Sequence, residues 1–240
     1  MFGLTIGDYH TYNDFGLVLT KYYIPEPDVK LQRIDLPFAS GSIDLTDSTG
    51  ETPYNDRDGI EFEFVIQDGD YSGWDTTIQS LAMAIHGQKL RLISDNDTAY
   101  YYNVRLHVDY DKSFKQWGTI TLTGTAEPFK YSIIASHEPW LWNPFNFVNG
   151  VILSTSDIVV DGTTTVTIPA GGIKTSPSFI VTQAGAGLGV IYETNPPKTL
   201  YMPNTGTYRF PQIKCGGDSA TTITLVGQGM VSIAYRSRYL

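Results

Sequence analysis

The chain has 240 residues, with 23 glycines, 13 prolines, 16 tyrosines and a single cysteine, Cys215, which suits one large β domain or two smaller ones and excludes an intrachain disulfide or a cysteine-built metal site. The net charge of −9 is uneven: residues 1–136 carry 10 basic and 20 acidic side chains, net −10, and residues 137–240 carry 6 and 5, net +1. This asymmetry argues against a phosphate-binding groove in the first half; no apolar run reaches the length of a membrane span, and MFGLTIGDYH has neither the basic start nor the apolar core of a secretory leader.

Residues 2–6 and 15–24 read as short strands around the turn Gly7-Asp8-Tyr9, with Phe15, Leu17 and Leu19 alternating. Pro25 and Pro27 then stop any ladder, because proline lacks the donor it needs. A long connector follows, rich in Pro, Gly, Asp and Ser, with apolar anchors at Ile34, Leu36, Ile43 and Leu45. A connector this long with spaced anchors either lies on its own domain or reaches a neighbouring subunit, and the reading taken here is the neighbour. Next comes a strand in strict alternation: Ile60, Phe62, Phe64 and Ile66 on a buried side, Glu61, Glu63, Val65 and Gln67 on a wet one.

One helix is predicted after the loop Gly69–Gly73. Asp75 is its expected cap, Ile78, Leu81, Ala82 and Ile85 share one face, and Gly87 sits where a left-handed residue ends a helix. Three strands follow, at 89–94, 99–110 and 117–126, with a turn at Ser94–Asp97; short connections imply an antiparallel meander. In the second of these, Tyr100, Tyr102, Val104, Leu106 and Val108 face the core and Tyr101 faces the other way. Glu127-Pro128-Phe129-Lys130-Tyr131 closes the first domain, residues 1–136. The segment 137–150, HEPWLWNPFNFVNG, is an interdomain joint in which Trp140, Trp142, Phe145 and Phe147 supply the packing. From 151 onward short Thr- and Gly-rich strands predict a β-sandwich, with strands at 157–160 and 164–168 and a closing hairpin through Gly227-Gln228-Gly229.

No chemistry stands out. His10, His86, His107 and His137 share no metal-ligand spacing, and His86 is placed to complement the helix dipole. Gly185, Gly187 and Gly189 lead into a strand, not into the helix a dinucleotide loop requires. Asp95, Asn96 and Asp97 lack the glycine and glutamate of a calcium loop and read as a hairpin turn. No carboxylate pair can be placed across a cleft. The chain is therefore expected to be no enzyme and to need no cofactor or metal.

Ile34-Asp35-Leu36-Pro37, Asp44-Leu45-Thr46, Tyr54-Asn55-Asp56-Arg57, Phe62-Glu63-Phe64, the helix ending His86-Gly87, Asp95-Asn96-Asp97 before Tyr101-Tyr102, and Glu127–Tyr131 occur in one order. With the ending GMVSIAYRSRYL, this order resembles the distal tail proteins of long-tailed bacteriophages. The family usually places a glycine-containing turn directly after the connector's Ile-Pro, where this chain has Phe38-Ala39-Ser40-Gly41 after Leu36-Pro37. The resemblance implies a mainly β protein: an antiparallel ring-forming domain with one short helix at 1–136, and a galectin-like β-sandwich at 137–240. It implies a homo-hexameric ring at the distal end of the virion tail. Such a ring joins the tail tube protein to tail-tip or tail-associated lysin proteins and to receptor-binding or baseplate proteins, and DNA passes through it without specific binding. Glu61 and Glu63 would then face the lumen, while Ile34, Leu36, Ile43 and Leu45 would bridge subunits. A carbohydrate-binding, lectin-like adhesion module is the alternative, suggested by the sandwich and its aromatics.

Overall fold

The computed structural model describes residues 2–38, 40–48, 50–66, 73–114, 117–138 and 155–240, without the side chains at 112–114 and 117. The chain is mainly β and forms two compact units, residues 1–130 with Leu240, and residues 131–239.

The first unit is built on one antiparallel sheet. Its strands are β1 (Leu4–Ile6), β2 (Tyr9–His10), β3 (Leu17–Tyr23), β6 (Arg57–Ile66), β7 (Lys89–Ser94), β8 (Asp97–Phe114) and β9 (Trp117–Ser132), in the order β2-β1-β7-β8-β9-β6-β3. A small separate hairpin, β4 (Arg33–Asp35) with β5 (Ser42–Asp44), lies between β3 and β6 in sequence. The expected meander is present in β7-β8-β9. What the local pattern does not give is the insertion of β1 beside β7 and of β6 beside β9, which depends on long-range pairing. Alternation in β6 buries Ile60, Phe62 and Phe64 completely. They pack with Leu4, Leu17, Leu92, Leu106, Ile120 and Leu122 into one core.

The single helix among the described residues, α1 (Trp74–Ile85), lies on this core through Trp74, Ile78, Leu81 and Ile85. The N-terminal end differs from expectation. The N-cap is Gly73, which makes no side-chain cap, and Asp75 falls in the first turn, where a carboxylate still suits the positive end of the dipole. At the other end His86 is extended, and its Nδ1 accepts the Val108 N–H at 3.1 Å. That bond ties the end of the helix to β8. Gly87 does take the left-handed conformation, φ 69°, and donates its N–H to Leu106 O. Tyr101, expected on the wet side, is buried, with the Arg91 guanidinium over its ring at 4.7 Å.

The second unit contains β10 (Ile158–Ile168), β11 (Gly171–Thr175), β12 (Ser178–Ala184), β13 (Gly189–Tyr192), β14 (Lys198–Tyr201), β15 (Gly206–Arg209), β16 (Cys215–Gly217), β17 (Thr221–Ala234) and β18 (Arg238–Tyr239). β17 is the spine: it pairs with β10 along one edge and with both β13 and β12 along the other. Two expectations are corrected here. The segments 157–160 and 164–168 are one strand, and Gly227-Gln228-Gly229 is no hairpin but the middle of β17. With φ of 94° and 153°, the two glycines let β17 pass from β13 to β12 without turning back. A Cβ at Gly227 would lie 2.4 Å from Gly187 O, a contact no side chain tolerates. β10 stays in register past all three residues, which is why the strand continues.

β9 runs through Glu127–Tyr131 to Ser132, so this segment is strand, and the first unit ends within it at Lys130. Beyond it, Ser136 and Thr155 are buried and hydrogen-bonded to each other at 2.8 Å, and both hydroxyl oxygens lie 2.6 Å from Ile233 O. Ser136 and Thr155 are thus both stitched to β17. Trp140, Trp142, Phe145 and Phe147 of the expected joint lie outside the described residues.

Candidate assembly surface

Sequence singles out the connector, and the structure makes it an arm. After β3, Pro25 and Pro27 end regular pairing and the chain leaves the sheet. Its two legs are joined near the root by the bridge Val29–Tyr54, by Lys30 N–H to Pro53 O and by Asn55 N–H to Asp28 O, both at 2.8 Å. Farther out, Leu45 N–H donates to Gln32 O, and Gln32 N–H donates to Thr46 Oγ1 at 3.0 Å. Thr46 N–H donates to Asp44 Oδ1, and hydrogen bonding to Thr46 lowers the Asp44 carboxyl pKa from its ordinary value. Thr46 is a buried polar residue of the arm. β4 and β5 then pair Arg33 with Asp44 and Ile34 with Ile43.

All four expected anchors are exposed: Ile34 by 53%, Leu36 by 45%, Ile43 by 46% and Leu45 by 37%. Val29 and Leu31 are exposed as well. Among the described residues nothing covers these side chains of the arm. Phe38, which follows Leu36-Pro37 and is not among the expected anchors, stands between β4 and β5 with φ 65° and is fully exposed. A bulky residue in the left-handed region is uncommon and costs of the order of 1 kcal/mol or more. The turn after Leu36-Pro37 is thus unusual. A two-stranded hairpin is marginal in water on its own, and contiguous exposed apolar side chains mark interaction surfaces. Residues 26–56 also hold seven acidic against two basic side chains.

Glu61 and Glu63 lie on the outer face of β6, opposite Thr123 and Thr121 of β9. On their other side Lys21 of β3 reaches both, its Nζ 2.7 Å from Glu61 Oε2 and 3.2 Å from Glu63 Oε1. The hydrogen bond to Glu61, then that to Glu63, raises the Lys21 pKa above its ordinary value. The pair is thus part of a trio of net charge −1, which sequence alternation alone did not reveal.

Elsewhere the singled-out residues serve folding. Asp95 accepts the Gly3 N–H at 2.8 Å and faces His10 Nε2 at 3.2 Å, while His10 Nδ1 accepts the Tyr12 and Asn13 N–H groups. Asp97 pairs with Lys130 at 3.5 Å. His107 packs edge-on against His86. Gly185 and Gly187 form the turn between β12 and β13. Cys215 is buried, and burial pushes its thiol up to about 12. Among the described residues no group of three or more His, Cys, Asp or Glu side chains could hold a metal ion.

The fold is shared with a solved structure along the full length of both chains. The crystal structure of SPP1 Dit (gp 19.1), described as a paradigm of the hub adsorption apparatus in phages infecting Gram-positive bacteria, superposes with a TM-score of 0.65 at 11% identity, covering 100% of each chain. At that identity the likeness is one of fold. No family model matches the sequence, and no curated protein matches it.

Proposed function

We propose that the chain is a structural distal tail protein of a phage or prophage particle, a subunit of a ring hub at the tail tip. The observation that carries this reading is the arm with its uncovered apolar residues, set on a fold matched end to end by a phage hub protein. A ring needs heterologous contacts, one surface of each subunit meeting a different surface of the next. An arm that exposes Ile34, Leu36, Ile43 and Leu45 supplies one such surface. In this reading six copies close through the first unit, and the second, galectin-like unit carries contacts to receptor-binding or baseplate proteins. The ring joins the tail tube to the tail-tip or tail-associated lysin protein, and Glu61 and Glu63 line the channel through which DNA passes. The protein acts by holding parts together and performs no catalysis.

Light scattering of the full chain over a concentration range tests the central point. Mass should climb from one copy toward six, with rings in negatively stained micrographs. A chain that stays monomeric at all concentrations, and forms no ring when mixed with tail tube and tail-tip proteins, would end this reading.

A further inference from the structure

The chain leaves the sheet at Pro25-Glu26 and re-enters it at Arg57, the first residue of β6. Arg57 is only 1% exposed. Its Nε donates to Pro128 O at 2.9 Å, and its Nη1 donates to Pro25 O at 2.6 Å and to Glu26 Oε2 at 3.2 Å. The guanidinium carbon sits 5.4 Å from the centre of the Tyr102 ring. One side chain thus connects the departing leg of the arm, its returning leg and the interior strand β9. The Lys30–Pro53 and Asn55–Asp28 bonds join the legs only to each other. Arg57, with the edge contact of Tyr54 on Phe129, joins them to the sheet.

Stability is a poor reason for a cation at this position. Its carboxylate partner Glu26 is 80% exposed, and so open an ion pair contributes little. Nη2 is buried without a hydrogen-bond partner among the described residues, a further cost. Replacing Arg57 alone with an apolar side chain of similar length removes the buried charge but leaves the Pro25 and Pro128 carbonyls, both in half-buried residues, without its donors, a loss set against the desolvation recovered. What an apolar chain cannot do is direct hydrogen bonds. The guanidinium is a rigid planar fork, and two of its three acceptors belong to the stretch that becomes the arm.

We propose that Arg57 is a positioning residue that sets the angle at which the arm leaves the sheet, so that the arm meets its partner preorganised. Its consequence for assembly rests on the ring reading above; its effect on arm orientation does not. Preorganisation matters because a loose arm would lose conformational freedom on each association.

The test uses the full chain with spin labels at Ser48→Cys on the arm and Ser80→Cys on α1, both exposed positions, Cys215 being buried. Distance distributions are measured in dilute solution for the wild-type background, Arg57→Met and Arg57→Lys, alongside thermal melting and light scattering. For Arg57→Met the melting temperature should stay within about 5 °C, while the distribution broadens about twofold and assembly is lost. Arg57→Lys should fall between, because a single ammonium cannot reproduce the fork. An unchanged distribution in Arg57→Met overturns the proposal. So does failure of that variant to fold, which would make Arg57 a support of the core. Normal assembly by a variant with a broadened arm overturns it too. A wild type that never assembles instead removes the ring reading, and the label distances still decide whether Arg57 holds the arm.

Discussion

Replacing the four arm residues Ile34, Leu36, Ile43 and Leu45 by serine should abolish self-association and leave the monomer folded. Their exposures, 53%, 45%, 46% and 37%, mean that roughly half of each side chain is still available for burial in a contact. Full burial of such a side chain is worth about 1.5–3 kcal/mol, so the remaining half is worth about 1 kcal/mol and the set about 4 kcal/mol per contact. At 1.4 kcal/mol for each factor of ten, that is about three orders of magnitude in pairwise association. A ring compounds the loss at every joint. The monomer loses little beyond the cross-strand contact of Ile34 with Ile43, about 0.2–1 kcal/mol. Sedimentation velocity over a concentration range reads the association, and a thermal melt reads the fold. Because residues 1–136 are strongly acidic, wild-type association should tighten as salt rises and the Debye length shortens. Unchanged association of the quadruple variant would refute the reasoning. A melting temperature lowered as far as a core truncation lowers it would do the same, since it would show that these side chains already stabilise the monomer.

Three further outcomes are expected. Glu61→Lys with Glu63→Lys turns the trio with Lys21 from net −1 to net +3; particles carrying both should assemble but eject DNA more slowly, most of all at low ionic strength, and a normal ejection rate would count against a channel-lining role. Gly124→Ala places a Cβ 2.1 Å from Arg105 O, so it should destabilise the first unit by about 1–3 kcal/mol through forced backbone movement, seen as a melting temperature several degrees lower; an unaltered melt would show that the strands can separate at no cost. Cys215, its thiol pushed up to about 12 by burial, should resist thiol reagents at pH 8 in the native chain and react fully in denaturant. Because its folded pKa is raised, its contribution to stability is complete below the unfolded thiol's value and is lost as pH climbs toward 12; rapid native labelling near neutrality would contradict its burial.

Local pattern determined much of this protein. Alternation from Ile60 to Ile66 fixes which face of β6 is buried, because a period of two admits one choice of face, and the spacing of Ile78, Leu81 and Ile85 fixes the face of α1. The exposure of Ile34, Leu36, Ile43 and Leu45 has a similar local cause: apolar side chains between prolines and acidic residues have no sheet of their own to enter. Tertiary structure decided everything that depends on partners distant in sequence. Gly227-Gln228-Gly229 carries the signature of a turn, yet β10 pairs straight past it, and long-range hydrogen bonds outweigh local turn propensity. Nothing near His86 in sequence shows that Val108 brings an N–H to its ring. Glu61 and Glu63 look like bare acids until β3 sets Lys21 between them. In the sequence Arg57 is only the last residue of Tyr54-Asn55-Asp56-Arg57, and the convergence of Pro25, Glu26 and Pro128 around it makes it a buried clasp. Burial and charge state belong to the assembled neighbourhood, and a sequence window holds only one side of each contact.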